Sequence, residues 1–385
     1  MFFFELFQIA IGKKKQISKE ISDSEWNTLY NVCKKQLVLG VAFSAIQKLP
    51  EEQRPSLELF AKWQKDAQIE QERRERIIEI CRKACETHEK NGFDSCVLMP
   101  TSVVVRGERL EVRDEIGEFR GGDPKDIDIL CWSKDKKDGK RTIVEYVNFQ
   151  YVSSTHHIKP KVVRNFTDIE SGNIPMEVRF KSDYLNCPWY NSRFEAWVRE
   201  MVDREQRPLP PPSPVGREPE GDNISTLKNE LCEFPIEFFV VYQLLHLYRK
   251  LFCEGIRLGH MLEYYYTLQK FSVECLEFRE KRGEVMQVIE RLGMKKFAGA
   301  VMYVLQTVFA MPDEYLICKS DARHGSFVLN ITMMAGEYTR YIERTRTLSH
   351  LGRIGHHLYW LKRNRPFITQ YPVEMFFDLY KRMKG

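Results

Sequence analysis

The sequence has no apolar run long enough to cross a bilayer as a helix. Its charge-free apolar stretches, Phe238 to Tyr248 among them, fall short of the roughly 20 residues such a span needs. The marks of a secretory leader are missing as well: Met1 to Gly12 is apolar, but it carries Glu5 and Gln8, lacks a basic start, and runs into Lys13, Lys14 and Lys15 where a small-residue cleavage site would stand. It reads as a first helix. Paired cysteine spacings are also absent. The 10 cysteines are scattered through apolar contexts in a chain too large to need staples, which predicts a soluble protein in the reducing cytoplasm with no membrane partner. Nor does one sign of charge dominate, since 59 basic against 54 acidic residues leaves a net +5. That excludes a histone-like polyelectrolyte and leaves room for a local basic patch. No repeat of fixed period is found, which excludes a solenoid.

With 385 residues, 43% of them hydrophobic, the chain has apolar surface for one large or two ordinary domains. Ser22 and Glu25 form a capping-box pattern ahead of Trp26, Leu29, Tyr30, Cys33 and Leu37 at helical spacing, and Gly40 is expected to separate this helix from one ending near Pro50. From Leu57 to about Lys90 a long charged helix carries the stripe Phe60, Trp63, Ile69, Ile77, Ile78, Cys81 and Cys85. Residues 1–90 thus read as helical.

After Asn91-Gly92 the texture changes to short β-branched runs: Ser95 to Leu98, Ser102 to Val105, Ile127 to Cys131, Arg141 to Tyr151 and Ile174 to Phe180. Residues 91–206 read as a mixed α/β module. Residues 207–223, with Pro208, Pro210, Pro211, Pro212 and Pro214, can be neither helix nor inner strand and read as a linker or surface arm. Helical patterns then recur over 224–385, at Phe234 to Phe252, Leu258 to Phe271, Phe278 to Leu292, Lys296 to Phe309, Gly325 to Tyr341 and Gly355 to Leu361. The expected class is α+β, a small mixed sheet flanked by N-terminal helices and a C-terminal helical domain.

The sharpest local feature is Lys125-Asp126-Ile127-Asp128-Ile129-Leu130. Strand alternation sends Asp126 and Asp128 to one face and Ile127 and Ile129 to the other. Adjacent carboxylates repel unless a cation lies between them, and such hard oxygen ligands suit Mg²⁺ or Mn²⁺; a solvated edge strand is the plain alternative. Met176-Glu177-Val178-Arg179-Phe180 is a second alternating run that places Glu177 and Arg179 on one face. Two acids on one strand and a third on a neighbour can hold metals that bridge nucleotide phosphates. An ordinary ion pair, with Arg179 among the candidates, also accounts for Glu177. Val105-Arg106-Gly107 and Arg120-Gly121-Gly122 offer backbone donors and charge for phosphate, or serve as turns; neither is a P-loop.

These segments carry a resemblance. An α/β module with D-x-D on one strand and a lone acid on a later one, followed by a helical domain, resembles the nucleotidyltransferases of the DNA polymerase β superfamily. More narrowly, the chain resembles a bacterial family known only as uncharacterised nucleotidyltransferases. The likeness runs through Lys34-Lys35-Gln36 to Leu49-Pro50, Gly92-Phe93 to Leu98, Asp126 to Ile129, His156-His157, Met176 to Phe180, His246-Leu247-Tyr248-Arg249, Leu251 to Gly255, Glu263-Tyr264-Tyr265-Tyr266, Ala298 to Phe309 and Tyr371 to Glu374. It implies that Asp126, Asp128 and Glu177 hold the catalytic metals, with Glu177 nearest the acceptor hydroxyl as general base. Arg106, Gly107, Arg120 and Lys125 are the candidate nucleotide-binding residues. The chain departs from the family at four places: Leu98-Met99-Pro100 stands for a Lys-Gly, Lys125 for a Gly, Arg179 for a His, and Gly259 for an Arg.

Other features have plainer explanations. Cys81, Cys85 and His88 share a helical face without a fourth zinc ligand, and core packing accounts for them. His156-His157 cannot both face the Asp pair. His246, on an apolar helix with Tyr242, Leu245 and Arg249, reads as a satisfied helical histidine. Arg340, Arg344, Arg346, Arg353, Lys362, Arg363 and Arg365, with His350, His356 and His357 and the single acid Glu343, make a basic patch over 340–365 suited to RNA phosphates or to a solvated helix face. The expected function is transfer of a nucleoside monophosphate from a nucleoside triphosphate to a hydroxyl acceptor of unspecified class. An Asp128→Asn change is expected to abolish turnover with little loss of stability. The alternative is an inactive relative that binds RNA or a protein through the basic helical domain, and a nuclease ranks last because no His or Lys is evident to protonate a leaving group.

Overall fold

The capping box at Ser22 forms as its spacing predicts. In a computed structural model, which describes residues 2–99, 127–133, 143, 145–146, 161–162, 166–171, 174–179, 183–205, 234–253, 255–274, 278–345, 362 and 364–384, the Ser22 side chain accepts from the Glu25 amide while the Glu25 carboxylate accepts from the Ser22 amide at 3.0 Å. Four helices precede the first strand: α1 (Phe2–Ala10), α2 (Asp23–Lys35), α3 (Leu39–Lys48) and α4 (Leu57–Lys90). The break between α2 and α3 does not fall at Gly40, which lies inside α3 with its amide on Glu70 Oε2 at 3.0 Å. It falls at Leu37, whose φ is +59°. That left-handed backbone costs a leucine about 1–2 kcal/mol, offset by burial of Leu37 and by the bonds of the residue before it. Gln36 Oε1 accepts from the Leu258 amide at 3.0 Å, Gln36 Nε2 donates to Thr332 O at 3.0 Å, and the Gln36 carbonyl accepts from the Gly259 amide at 2.9 Å.

Gly92, at φ +85°, turns the chain out of α4 into a mixed sheet of β1 (Phe93–Met99), β2 (Ile127–Ser133), β3 (Lys161–Val162), β4 (Phe166–Ser171) and β5 (Ile174–Arg179), ordered β1-β2-β5-β4-β3. Only the β2–β5 pair is parallel. Ile127, Ile129, Met176 and Val178 are all fully buried on one face, and α4 packs against β1 and β2. The expected strand over Arg141 to Tyr151 is corrected: Ile143, Glu145 and Tyr146 are helical. The three-residue spacing of Ile143 and Tyr146 suits a helix face, and the Tyr146 ring stacks on Phe93 at 4.4 Å and donates its hydroxyl to Thr87 O at 3.3 Å. The run Ser102 to Val105 and the Pro-rich 207–223 lie outside the described residues.

α5 (Pro188–Glu205) closes the segment read as mixed α/β, and the described C-terminal part is helical as expected, with α6 (Ile236–Cys253), α7 (Leu258–Glu274), α8 (Phe278–Arg291), α9 (Lys295–Phe309), α10 (Ala322–Thr345) and α11 (Pro372–Lys384), while the expected helix Gly355 to Leu361 lies outside the described residues. Gly255, at φ +84°, lets its amide close on Lys250 O at 2.7 Å and ends α6. The first and last thirds share a core, with α1 against α9 and the rings of Phe7 and Phe309 5.6 Å apart. The architecture is mostly helical with a small mixed sheet, an α+β class. No described helix is long and apolar enough to cross a membrane. One described cysteine departs from the expectation of unpaired thiols: Cys33, Cys81, Cys85, Cys131, Cys187 and Cys318 are in no disulfide, whereas Cys96 on β1 is disulfide-bonded. Separation along the chain says little about which sulfurs the fold brings within bonding distance.

Candidate functional site

Parallel pairing of β2 with β5 sets Asp128 beside Glu177 and Leu130 beside Arg179. Because alternate residues face opposite ways, Asp128, Glu177 and Arg179 emerge together on the face turned away from α4. That face is covered by α6 through an aromatic ladder at four-residue spacing, the helical neighbour distance. Trp132 of β2 stacks on Phe234 at 5.6 Å, Phe234 on Phe238 at 4.2 Å, Phe238 on Tyr242 at 5.7 Å and Tyr242 on His246 at 6.5 Å.

At the acidic end of the ladder Arg179 joins both carboxylates. Its Nη2 lies 2.9 Å from Asp128 Oδ2 and also donates to Glu177 Oε2. The Arg179 and Asp128 side chains are each 5% exposed and that of Glu177 is 22% exposed, so only Glu177 has ready access to solvent. Burial by itself would raise the Asp128 carboxyl, but the Arg179 charge, aided by His246 and Lys250, holds it below the ordinary carboxylate value. Burial opposes the Arg179 charge, and Asp128 more than restores it, keeping the guanidinium protonated. Burial raises the Tyr242 hydroxyl, which feels Arg179, Asp128 and Glu177. Two polar atoms here are buried with no hydrogen-bond partner among the described residues, Asp128 Oδ1 and Tyr242 Oη.

A second buried acid adjoins this group. The Asp183 side chain is fully buried, pairs with Arg249, and has Oδ2 3.2 Å from His246 Nδ1. The Tyr184 ring next to it carries the Arg249 guanidinium at 4.6 Å and the Lys381 ammonium at 4.9 Å. His246, Arg249 and Lys250 therefore stand on one face of α6 with acids on two sides. His246 is the satisfied helical histidine its sequence context predicts, bonded to Asp183, an acid the sequence does not mark, and its three- and four-residue spacing to Arg249 and Lys250 marks the charged face of α6.

An acceptor oxygen such as Asp128 Oδ1, buried beside Glu177 with no partner among the described residues, fits a hard divalent cation like Mg²⁺ or Mn²⁺. Among the described residues no three His, Cys, Asp or Glu gather as a metal cage. Asp126, Arg106, Gly107, Arg120, Lys125, His156 and His157 lie outside the described residues, as does most of the 340–365 patch, of which Lys362 and Arg365 are exposed. At Gly259 a Cβ would lie 2.6 Å from Leu37 O, so the close approach of the two backbones requires glycine there. Cys81, Cys85 and His88 are buried under the sheet. Burial lowers His88 to about 4 and raises Cys85 to about 11. Comparison with known families, characterised proteins and solved structures finds no match to this chain.

Proposed function

We propose that the chain is a metal-dependent nucleotidyltransferase, moving a nucleoside monophosphate from a nucleoside triphosphate to an acceptor hydroxyl. The observation that carries this reading is the registered Asp128–Glu177 pair on adjacent parallel strands, with Asp128 Oδ1 buried and without a partner among the described residues. Asp128 and Glu177, with Asp126 by its place in the D-x-D, would hold Mg²⁺ or Mn²⁺. A cation bound there neutralises charge on the triphosphate and favours ionisation of the attacking hydroxyl. Glu177, the more exposed acid, accepts the acceptor's proton. The acceptor oxygen bonds to the α-phosphorus as the bond to the bridging oxygen breaks, and pyrophosphate leaves with the bonding electrons. Arg249 and Lys250 on α6 supply positive charge on the side from which a triphosphate would approach.

A second reading is favoured by one contact. Arg179 occupies both carboxylates where the family has a His, which suits an inactive relative that binds RNA through the basic helical surface. α-Labelled ribonucleoside triphosphates with Mg²⁺ separate the two: the first reading expects pyrophosphate release by the native protein and none by Asp128→Asn. Equal release by both would refute it. Binding of labelled RNA that weakens steeply between two salt concentrations, without any release, supports the second reading.

A further inference from the structure

We propose that Arg179 is a built-in counter-cation that gates the carboxylate pair, so that a divalent cation binds only by displacing the guanidinium. This rests on the site reading given above, and it concerns how the site is kept closed.

A buried carboxylate beside a half-buried one needs compensation, because an unpaired charge in the interior is expensive. Arg179 supplies it from the strand that bears Glu177, through a single nitrogen shared between Asp128 Oδ2 and Glu177 Oε2. One guanidinium offsets only one of the two carboxylate charges, with Lys250 acting on Asp128 as well, and the bonding is incomplete. Asp128 Oδ1 faces the same interior without a partner among the described residues, and so does the fully buried Tyr242 hydroxyl. A guanidinium donates in a fixed plane and here satisfies one oxygen of each acid. A compact divalent cation accepts ligands from several directions and would take the remaining oxygen. Arginine cannot leave by losing its proton, so the site opens only if the side chain moves. His246 and Lys250 already act on Asp128, and a second cation beside a stationary Arg179 would leave the locality strongly positive. Arg179 and the divalent cation are therefore competitors for one pair of acids.

Mn²⁺ alone is the probe, followed by electron paramagnetic resonance of the full chain without nucleotide. The native protein is expected to bind Mn²⁺ weakly, and Arg179→Gln about tenfold or more tightly, one competing charge having been removed. In Arg179→Gln/Asp128→Asn the gain is expected to vanish. If Arg179→Gln does not fold, Arg179→Lys is the variant read, with a severalfold gain expected because an ammonium lacks the fork that reaches both acids. Equal or weaker Mn²⁺ binding in the variant read, or a gain that survives Asp128→Asn, overturns the gate. Tightened Mn²⁺ binding in a protein that never transfers a nucleotide keeps the gate and removes the proposed reaction, so the two failures are distinguishable.

Discussion

The two faces of β2 solve burial in opposite ways. Toward α4, Ile127, Ile129 and Cys131 pack with Cys81, Cys85 and His88, and these groups are driven to their neutral forms: burial lowers His88 to about 4 and raises the three thiols. Toward α6, Asp128 and Arg179 are buried with their charges kept, beside the half-buried Glu177. The first face is what packing alone produces. Retained charge with unsatisfied oxygens on the second is the arrangement expected of a site that binds something.

Removing Arg179 should break this contrast most. Arg179→Met leaves two acids without a counter-charge and is expected to cost about 3–5 kcal/mol in denaturant unfolding; a loss under about 1 kcal/mol would mean the cluster is far better solvated than its burial indicates. On the other face His88 gives the next effect. It is held neutral, so stability is fully present above its ordinary value of 6.5 and falls as pH drops toward about 4, by about 3 kcal/mol. His88→Phe should flatten that part of the stability–pH curve. The depressed Asp128 carboxyl acts in a lower window. Its contribution is present above its ordinary value of 3.8 and is lost as pH falls below it, so acid unfolding of His88→Phe should retain that later loss. Asp128→Asn comes third. The sequence-based expectation of little stability loss is revised, because the side chain is ion-paired and buried; with Arg179 still held by Glu177, about 2 kcal/mol is expected. The smallest effect belongs to Tyr242→Phe, which removes a hydroxyl lacking a described partner and should change stability by less than about 0.5 kcal/mol. A large loss there would reveal a bond formed by that hydroxyl.

What could be read from the sequence was what local pattern encodes. The Ser22–Glu25 cap, the long α4, the strands at Ile127 and Ile174 and the helices after Phe234 each follow from spacing and punctuation, as does the common face of Glu177 and Arg179. What escaped depends on partners distant in the chain. Leu37 breaks the α2–α3 run because Gln36 is bonded to Leu258 and Thr332, contacts no periodicity reveals. The helical turn at Ile143 and Tyr146 imitates a β-branched strand until Phe93 and His88 receive the Tyr146 ring. Asp183 meets His246 from 63 residues away, and nothing local marks it. Within the candidate site, the acids were legible as types on strands, whereas the register that joins Asp128 to Glu177 under one arginine is a property of sheet order.

The most direct test of the central claim, that the charged face of β2 is a cation-dependent nucleotide site, is calorimetric. Non-hydrolysable analogues of the four ribonucleoside triphosphates are titrated into the purified chain with Mg²⁺ and then with Mg²⁺ chelated. The account predicts that one analogue binds with Mg²⁺, and that this binding is lost on chelation and in Asp128→Asn. No binding by any of the four, or binding indifferent to both Mg²⁺ and Asp128, would contradict it.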